Sequence, residues 1–197
     1  MKRKHKVGLA ALALLAVLAY AGKAKAQDAP PSAKEGSSKQ EWRLSVGPDA
    51  VLPLGDLSNV YNWGFGGSAQ IDIPIVQSLY VTVNAGYNNY FVKSALKDEG
   101  AKDLQTIPLK AGLRYFPVGN IFYIQGQAGA TLLANKSDVS ADKSAAFVYA
   151  PQVGVLLKLA QKNYIDVGFR FEGTSSFYDG GSYTNTLGLR VAYAFGL

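Results

Sequence analysis

The 197-residue chain has no cysteine, a single histidine and a single methionine. Without cysteine there is neither a disulfide framework nor a thiolate metal site. Long apolar runs are equally scarce. The one present, Val7 to Ala21, is made of Ala, Leu, Val, Gly and Tyr. It is shorter than the about 20 residues a membrane-spanning helix needs. No later run approaches that length, so a helical membrane protein is excluded. A membrane β-barrel stays open, because its strands need only about ten residues each.

That apolar run follows Lys2, Arg3, Lys4, His5 and Lys6, and it precedes Ala24-Lys25-Ala26. A basic stretch, an apolar stretch and a small-x-small site form the order of a secretory signal peptide. An uncleaved N-terminal anchor is the competing reading, and the short run argues against it. We expect residues 1–26 to be a signal for the Sec pathway. No Cys follows the run, so lipoprotein anchoring is not expected.

Removing 1–26 changes the charge. Six of the 20 Lys and Arg lie there, whereas all 14 Asp and Glu come later. The remainder is balanced, so the basic pI of the full chain carries no argument for nucleic acid. His5 and Met1 leave with the signal. Residues 27–40 (QDAPPSAKEGSSKQ) hold no large apolar side chain. Such a segment buries too little surface to offset its ordering entropy, and we read it as a flexible periplasmic leader.

From Glu41 the pattern has period two, which is the spacing of strands. Eight strands are expected: Glu41–Leu54, Trp63–Ile73, Ser78–Phe91, Leu104–Phe116, Asn120–Ala134, Ala145–Ala160, Asn163–Thr174 and Ser182–Leu197. No segment shows a helical period. Three connections are short (Pro74–Gln77, Pro117–Gly119, Gln161–Lys162) and four are longer and polar. That alternation suits an up-and-down barrel with short periplasmic turns and longer external loops. A soluble sandwich or lipocalin-like barrel also alternates.

Face chemistry separates the two. In the last strand Leu187, Leu189, Val191, Tyr193, Phe195 and Leu197 share one face, opposite Thr186, Gly188, Arg190, Ala192, Ala194 and Gly196. Other strands repeat the contrast. A soluble barrel would bury the greasy face and show water a surface of Gly, Ala, Ser and Thr with few charges, which is unusual. A membrane barrel turns the greasy face to lipid and packs the small and polar residues inside. The expected fold is therefore an all-β, eight-stranded antiparallel up-and-down transmembrane β-barrel over 41–197, in the outer membrane of a Gram-negative bacterium.

The inward positions collect Arg43, Asp49, Asp72, Lys110, Arg114, Lys158, Asp166, Arg170, Glu172 and Arg190. Isolated charges out of water are costly, so these must pair or meet trapped water. A salt-bridged plug is the ordinary way to fill so narrow a lumen. A catalytic dyad or an ion path is the alternative. Outward aromatics gather towards strand ends. Trp42, Tyr115, Phe122, Tyr193 and Phe195 map to the periplasmic boundary. Trp63, Phe65, Tyr87, Phe91, Phe147 and Tyr149 map to the outer one. Two girdles of this kind are expected at the membrane interfaces. Pro53, Pro108 and Pro151 map towards outer strand ends, Pro74 and Pro117 open short turns, and Pro48 falls mid-strand, where a bulge is expected.

Several segments carry a resemblance. They are Val51-Leu52-Pro53-Leu54-Gly55-Asp56, Phe65-Gly66-Gly67-Ser68, Ala85-Gly86-Tyr87, Ile107 through Pro117, and Leu189 through Phe195. The chain resembles the small porin-superfamily barrels related to the OmpA transmembrane domain and OmpX, above all the Bacteroidetes-type outer membrane protein beta-barrel domain group. The resemblance spans Glu41–Leu197. It implies an outer-membrane location and insertion by the barrel-assembly machinery, which reads the last strand at Leu189, Val191, Tyr193, Phe195 and Leu197. Such strands usually end in an aromatic residue, whereas this one ends in Leu197. No further domain is expected after the barrel.

Functionally, these readings point to a non-catalytic barrel with a structural, surface-contact or complex-subunit role. The lumen would be plugged by side chains and no cofactor is implied. Expected partners are outer-membrane lipid and lipopolysaccharide, the assembly machinery and other outer-membrane proteins. The alternatives are a small channel or ligand-binding porin-like protein, and an outer-membrane lipid-modifying enzyme. Ser-His-acid chemistry needs a His that the processed chain lacks. A carboxylate site at Asp166 and Glu172 has no supporting motif.

Overall fold

In a computed structural model, residues 41–98, 100–137, 141–178, 180–181 and 183–197 are described. The signal at 1–26 and the leader at 27–40 lie outside them. Eight antiparallel strands close into one barrel in chain order. They are β1 (Arg43–Leu54), β2 (Tyr61–Val76), β3 (Leu79–Val92), β4 (Leu104–Val118), β5 (Phe122–Leu133), β6 (Ala145–Lys158), β7 (Asn163–Thr174) and β8 (Thr184–Gly196). Closure comes from β1 on β8, in register from Arg43↔Gly196 to Leu54↔Asn185. The Leu197 amide extends that seam by donating to the Trp42 carbonyl at 2.8 Å.

The strands sit where period two puts them, and the differences lie at their ends. β2 and β4 run further than expected, through Pro74 and Pro117, because register shifts between Pro74 and Val76 and between Tyr115 and Val118 let pairing continue. A bulge tolerates a residue that cannot donate to the ladder. The expected bulge at Pro48 is absent. Val46↔Tyr193 and Asp49↔Arg190 keep one register on either side of it, and only the pairing of Gly47 and Pro48 with β8 lapses. Pro108 and Pro151 sit in the same kind of gap, towards β3 and β7 respectively. Each of these prolines costs a ladder contact with one neighbour and leaves the register unchanged.

The turn side has tight connections, with Gly119 at φ 58 in the one between β4 and β5. On the loop side, two connections each hold one helical turn, α1 (Leu57–Val60) and α2 (Ser94–Lys97). Four residues are too few to show a 3.6-residue period in sequence.

Outward side chains are bulky and exposed. Val46, Phe65, Val83, Leu109, Val153, Phe169, Leu189 and Val191 ring the wall. The interior inverts this, with Ser45, Gln70, Thr82, Asn84, Lys110, Arg114, Asp166 and Arg190 all buried. That inversion is the arrangement of a barrel whose solvent is lipid. Two apolar clusters sit inside the two ends. Tyr80, Phe116, Tyr123, Leu156 and Ala194 form a floor on the turn side, with Tyr164 packed against them. Leu133, Ala141, Ala146 and Phe177, joined by Leu104, form a cap under the loops.

Candidate functional site: the lumenal charge network

Between floor and cap the lumen is filled by charged and amide side chains from every part of the wall. Arg114 on β4 is the hub. Its Nη1 donates to Asp72 Oδ2 on β2 at 2.9 Å and its Nη2 to Asp166 Oδ2 on β7 at 2.9 Å. Its Nε donates to Gln125 Oε1 on β5 at 2.6 Å. The guanidinium plane lies over the Tyr123 ring, 4.0 Å from its centroid. Tyr123 in turn donates its hydroxyl proton to Asp166 Oδ1 at 2.6 Å.

Arg190 on β8 forms a second hub beside the seam. It reaches Asp166 Oδ2 at 3.3 Å, Ser68 Oγ at 2.9 Å and Ser45 Oγ at 3.0 Å. The Ser68 hydroxyl in turn donates a hydrogen bond to Asp49 Oδ2 at 2.5 Å. Arg170 completes the chain, binding Asp49 at 3.1 Å and standing 3.5 Å from Glu172, which also accepts from Lys110. Burying charges is tolerable only when each is paired and hydrogen-bonded, and these pairs meet that condition.

Five cations (Arg43, Lys110, Arg114, Arg170, Arg190) face four carboxylates (Asp49, Asp72, Asp166, Glu172) inside the barrel. Arg43 is the loosely held one. Among the described residues its ion pair is a 3.9 Å contact to Asp72, and its Nε and Nη2 lack hydrogen-bond partners there. It stacks instead over Tyr80 at 4.1 Å. A cation on a ring face recovers part of its lost hydration electrostatically.

Lys158 is a correction to the sequence reading. It has inward parity, but it is exposed at the turn-side end of β6, outside the closed lumen. Parity tells which way a side chain faces and not where the barrel ends. Asp166 and Glu172 do not form a dyad, since Asp166 serves Arg114, Arg190 and Tyr123 while Glu172 serves Lys110 and Arg170. Sequence reasoning also missed Tyr123, which is fully buried. The available signal was the facing pair Gly154↔Gly168. A Cβ on Gly168 would stand 2.7 Å from the Tyr123 hydroxyl, and one on Gly154 would collide with its ring. Two inward glycines thus make the slot for one large ring. Among the described residues no group of three or more His, Cys, Asp or Glu side chains is placed to hold a metal ion.

On the outer wall, Trp42, Trp63, Phe65, Tyr87, Tyr115, Phe122, Phe147, Tyr149 and Tyr193 are exposed, and Phe91 and Phe195 are half-buried. Trp63 packs on Phe91 at 4.7 Å, and Tyr193 lies 6.5 Å from Phe195. Phe169 departs from the two-girdle picture, being exposed in mid-strand opposite Val153 and Leu189.

Comparison with known proteins places this architecture. A family model described as "Outer membrane protein beta-barrel domain" matches residues 7–195. Neisserial surface protein A has a similar solved structure at 13% identity, covering 79% of this chain and 97% of that one, with a TM-score of 0.56. OprG from Pseudomonas aeruginosa is similar at 14% identity, 80% and 95% coverage, TM-score 0.52. Ail, the attachment invasion locus protein of Yersinia pestis, is similar at 13% identity, 79% and 98% coverage, TM-score 0.50. At these identities the likeness is one of fold. No protein with a curated description matches the sequence.

Proposed function

The chain belongs to the outer membrane protein beta-barrel domain family, and on that premise we propose that it is a non-catalytic barrel with a structural, surface-contact or complex-subunit role, its lumen serving as a plug. It is a small outer-membrane β-barrel whose interior is filled with buried polar and charged side chains, in a lipid environment. One observation carries the finer reading. Arg114 ties β4 to β2, β5 and β7 at once, straight across the lumen. A side chain so held blocks passage and keeps its carboxylates engaged as ion-pair partners. In this reading residues 1–26 direct export through the Sec pathway and are cut after Ala26. Residues 27–40 remain as a periplasmic leader. The outward row Leu189, Val191, Tyr193, Phe195 and Leu197 is what the barrel-assembly machinery takes up, lipopolysaccharide covers the outer girdle, and other outer-membrane proteins are the candidate partners.

A narrow channel is the second reading, favoured by unpartnered polar atoms on Asn84, Asn88, Gln127 and Thr131 that could line a water path. Refolded protein in a planar bilayer distinguishes the two. The plug predicts no reproducible unit conductance. Well-resolved steps overturn it and promote the channel.

A further inference from the structure

Below the loops the barrel opens into a cavity of about 300 Å³. Its wall is mostly apolar, including Leu57 and Val60 of α1, Leu104, Leu133 and Phe177. Beneath it, sharing Leu57, Leu104, Phe177 and Thr184, is a pocket of about 20 Å³. This lower pocket is polar in a particular way, since Thr106, Thr131, Thr174 and Thr186 all face it. The Thr131 hydroxyl is buried and has no hydrogen-bond partner. Glu172 also lines it, but its charge is answered by Lys110 and Arg170. The bottom of this mouth is therefore polar without an unpaired charge, and the ion pairs below it close the way down.

We propose that the outer mouth is a blind binding site for a small uncharged amphiphile, with an apolar body of about ten carbons and one hydroxyl group. The volumes set the size. An apolar cavity of about 150 Å³ holds a benzene ring, so twice that holds a body of about ten carbons. About 20 Å³ is room for one water or one hydroxyl. The vacant valence of Thr131 sets the head group, because a buried hydroxyl without a partner is destabilising and a ligand hydroxyl relieves it. Glu172 sets the neutrality, since it is the one charged side chain lining the lower pocket and Lys110 and Arg170 already answer it, which leaves nothing to pair with a charged ligand. Placement on the loop side means the apolar wall faces water rather than lipid, where uncovered apolar surface marks a binding site.

Only the blind end of the site rests on the plug reading, and its test reads something else. The mature chain is refolded into lipid nanodiscs and photolabelled with a decanol carrying a mid-chain diazirine, then mapped by mass spectrometry. A diazirine decane without the hydroxyl is the comparison probe. Saturable labelling is expected at residues 57–61 and at Phe177, and labelling that rises linearly with probe at lipid-facing Leu109 and Leu113. Val60→Trp, in a helical turn outside the barrel wall, should cut the saturable part at least fivefold and leave the linear part unchanged. Thr131→Val should weaken the alcohol about fivefold, the worth of one ordinary hydrogen bond, and leave the alkane unaffected. Absence of a saturable component, or one that Val60→Trp does not move, overturns the site. Equal labelling by alcohol and alkane in the parent protein overturns it as stated, because the hydroxyl would then have no role. Conductance steps with intact saturable labelling would sink the plug and leave the site standing.

Discussion

The two walls of the lumen solve the same problem differently. On β7, β8, β1 and β2 the inward Asp166, Arg170, Arg190, Ser45, Asp49, Ser68 and Asp72 are each held by at least one hydrogen bond or ion pair, and Arg43 is the loosely held exception. On β3 and β5, Thr82, Tyr123 and Gln125 are also bonded, but Asn84, Asn88, Gln127 and Thr131 each keep an atom with no partner among the described residues. The difference follows from what each group loses on leaving water. An unpaired buried charge is far more costly than an unpaired amide or hydroxyl, so charges must be matched first. Amides and hydroxyls tolerate a bridging water. The charged wall also contains the β1–β8 seam, where Arg190 reaches Ser45 across 145 positions of sequence. The closure that makes the sheet a barrel is thus clasped from inside by Arg190 and its partners.

The contrast is broken most directly at its hub. Arg114→Ala strands Asp72 and Asp166 without their shared partner and should cost about 3–5 kcal/mol. Urea unfolding in lipid vesicles, followed by heat-modifiable gel mobility, measures it. A loss under about 1 kcal/mol would mean the network is incidental to stability. Ser68→Ala removes a smaller link, the bridge between Asp49 and Arg190, and should cost about 1–2 kcal/mol in the same assay. Asn84→Ala tests the opposite wall. Neither polar atom of its amide has a protein partner, so removal should change stability by no more than about 1 kcal/mol. A cost matching that of Arg114→Ala would erase the distinction between the walls. Lys158→Ala should be smallest, within about 0.5 kcal/mol, as for an exposed residue away from special features. A larger loss would return Lys158 to the network.

Much of this was legible along the chain. The eight strands and the direction of each side chain follow from alternation, because Cβ atoms on a strand point to opposite faces in turn. That is why Arg43, Asp49, Asp72, Lys110, Arg114, Asp166, Arg170, Glu172 and Arg190 were all expected inside, where they are found. Lys158 went wrong because alternation has no marker for the rim. Phe116, Tyr123 and Leu156 passed unnoticed because a floor of large side chains depends on glycines opposite it, and Gly154 and Gly168 lie on strands other than the one carrying Tyr123. The Pro48 bulge was inferred from the missing N–H alone, and a gap in one neighbouring ladder proved sufficient.

By itself, then, the order of residues determined the faces. Period two, repeated over strands with greasy and polar sides, leaves a lipid-facing barrel as the arrangement that satisfies the backbone and both sets of side chains. Only the closed structure decided the partners. Arg114 meets Asp166 across 52 positions and Arg170 meets Asp49 across 121. Such pairs form because curling the sheet brings non-adjacent strands within one side chain's reach across a narrow lumen, a distance that strand spacing along the chain does not encode.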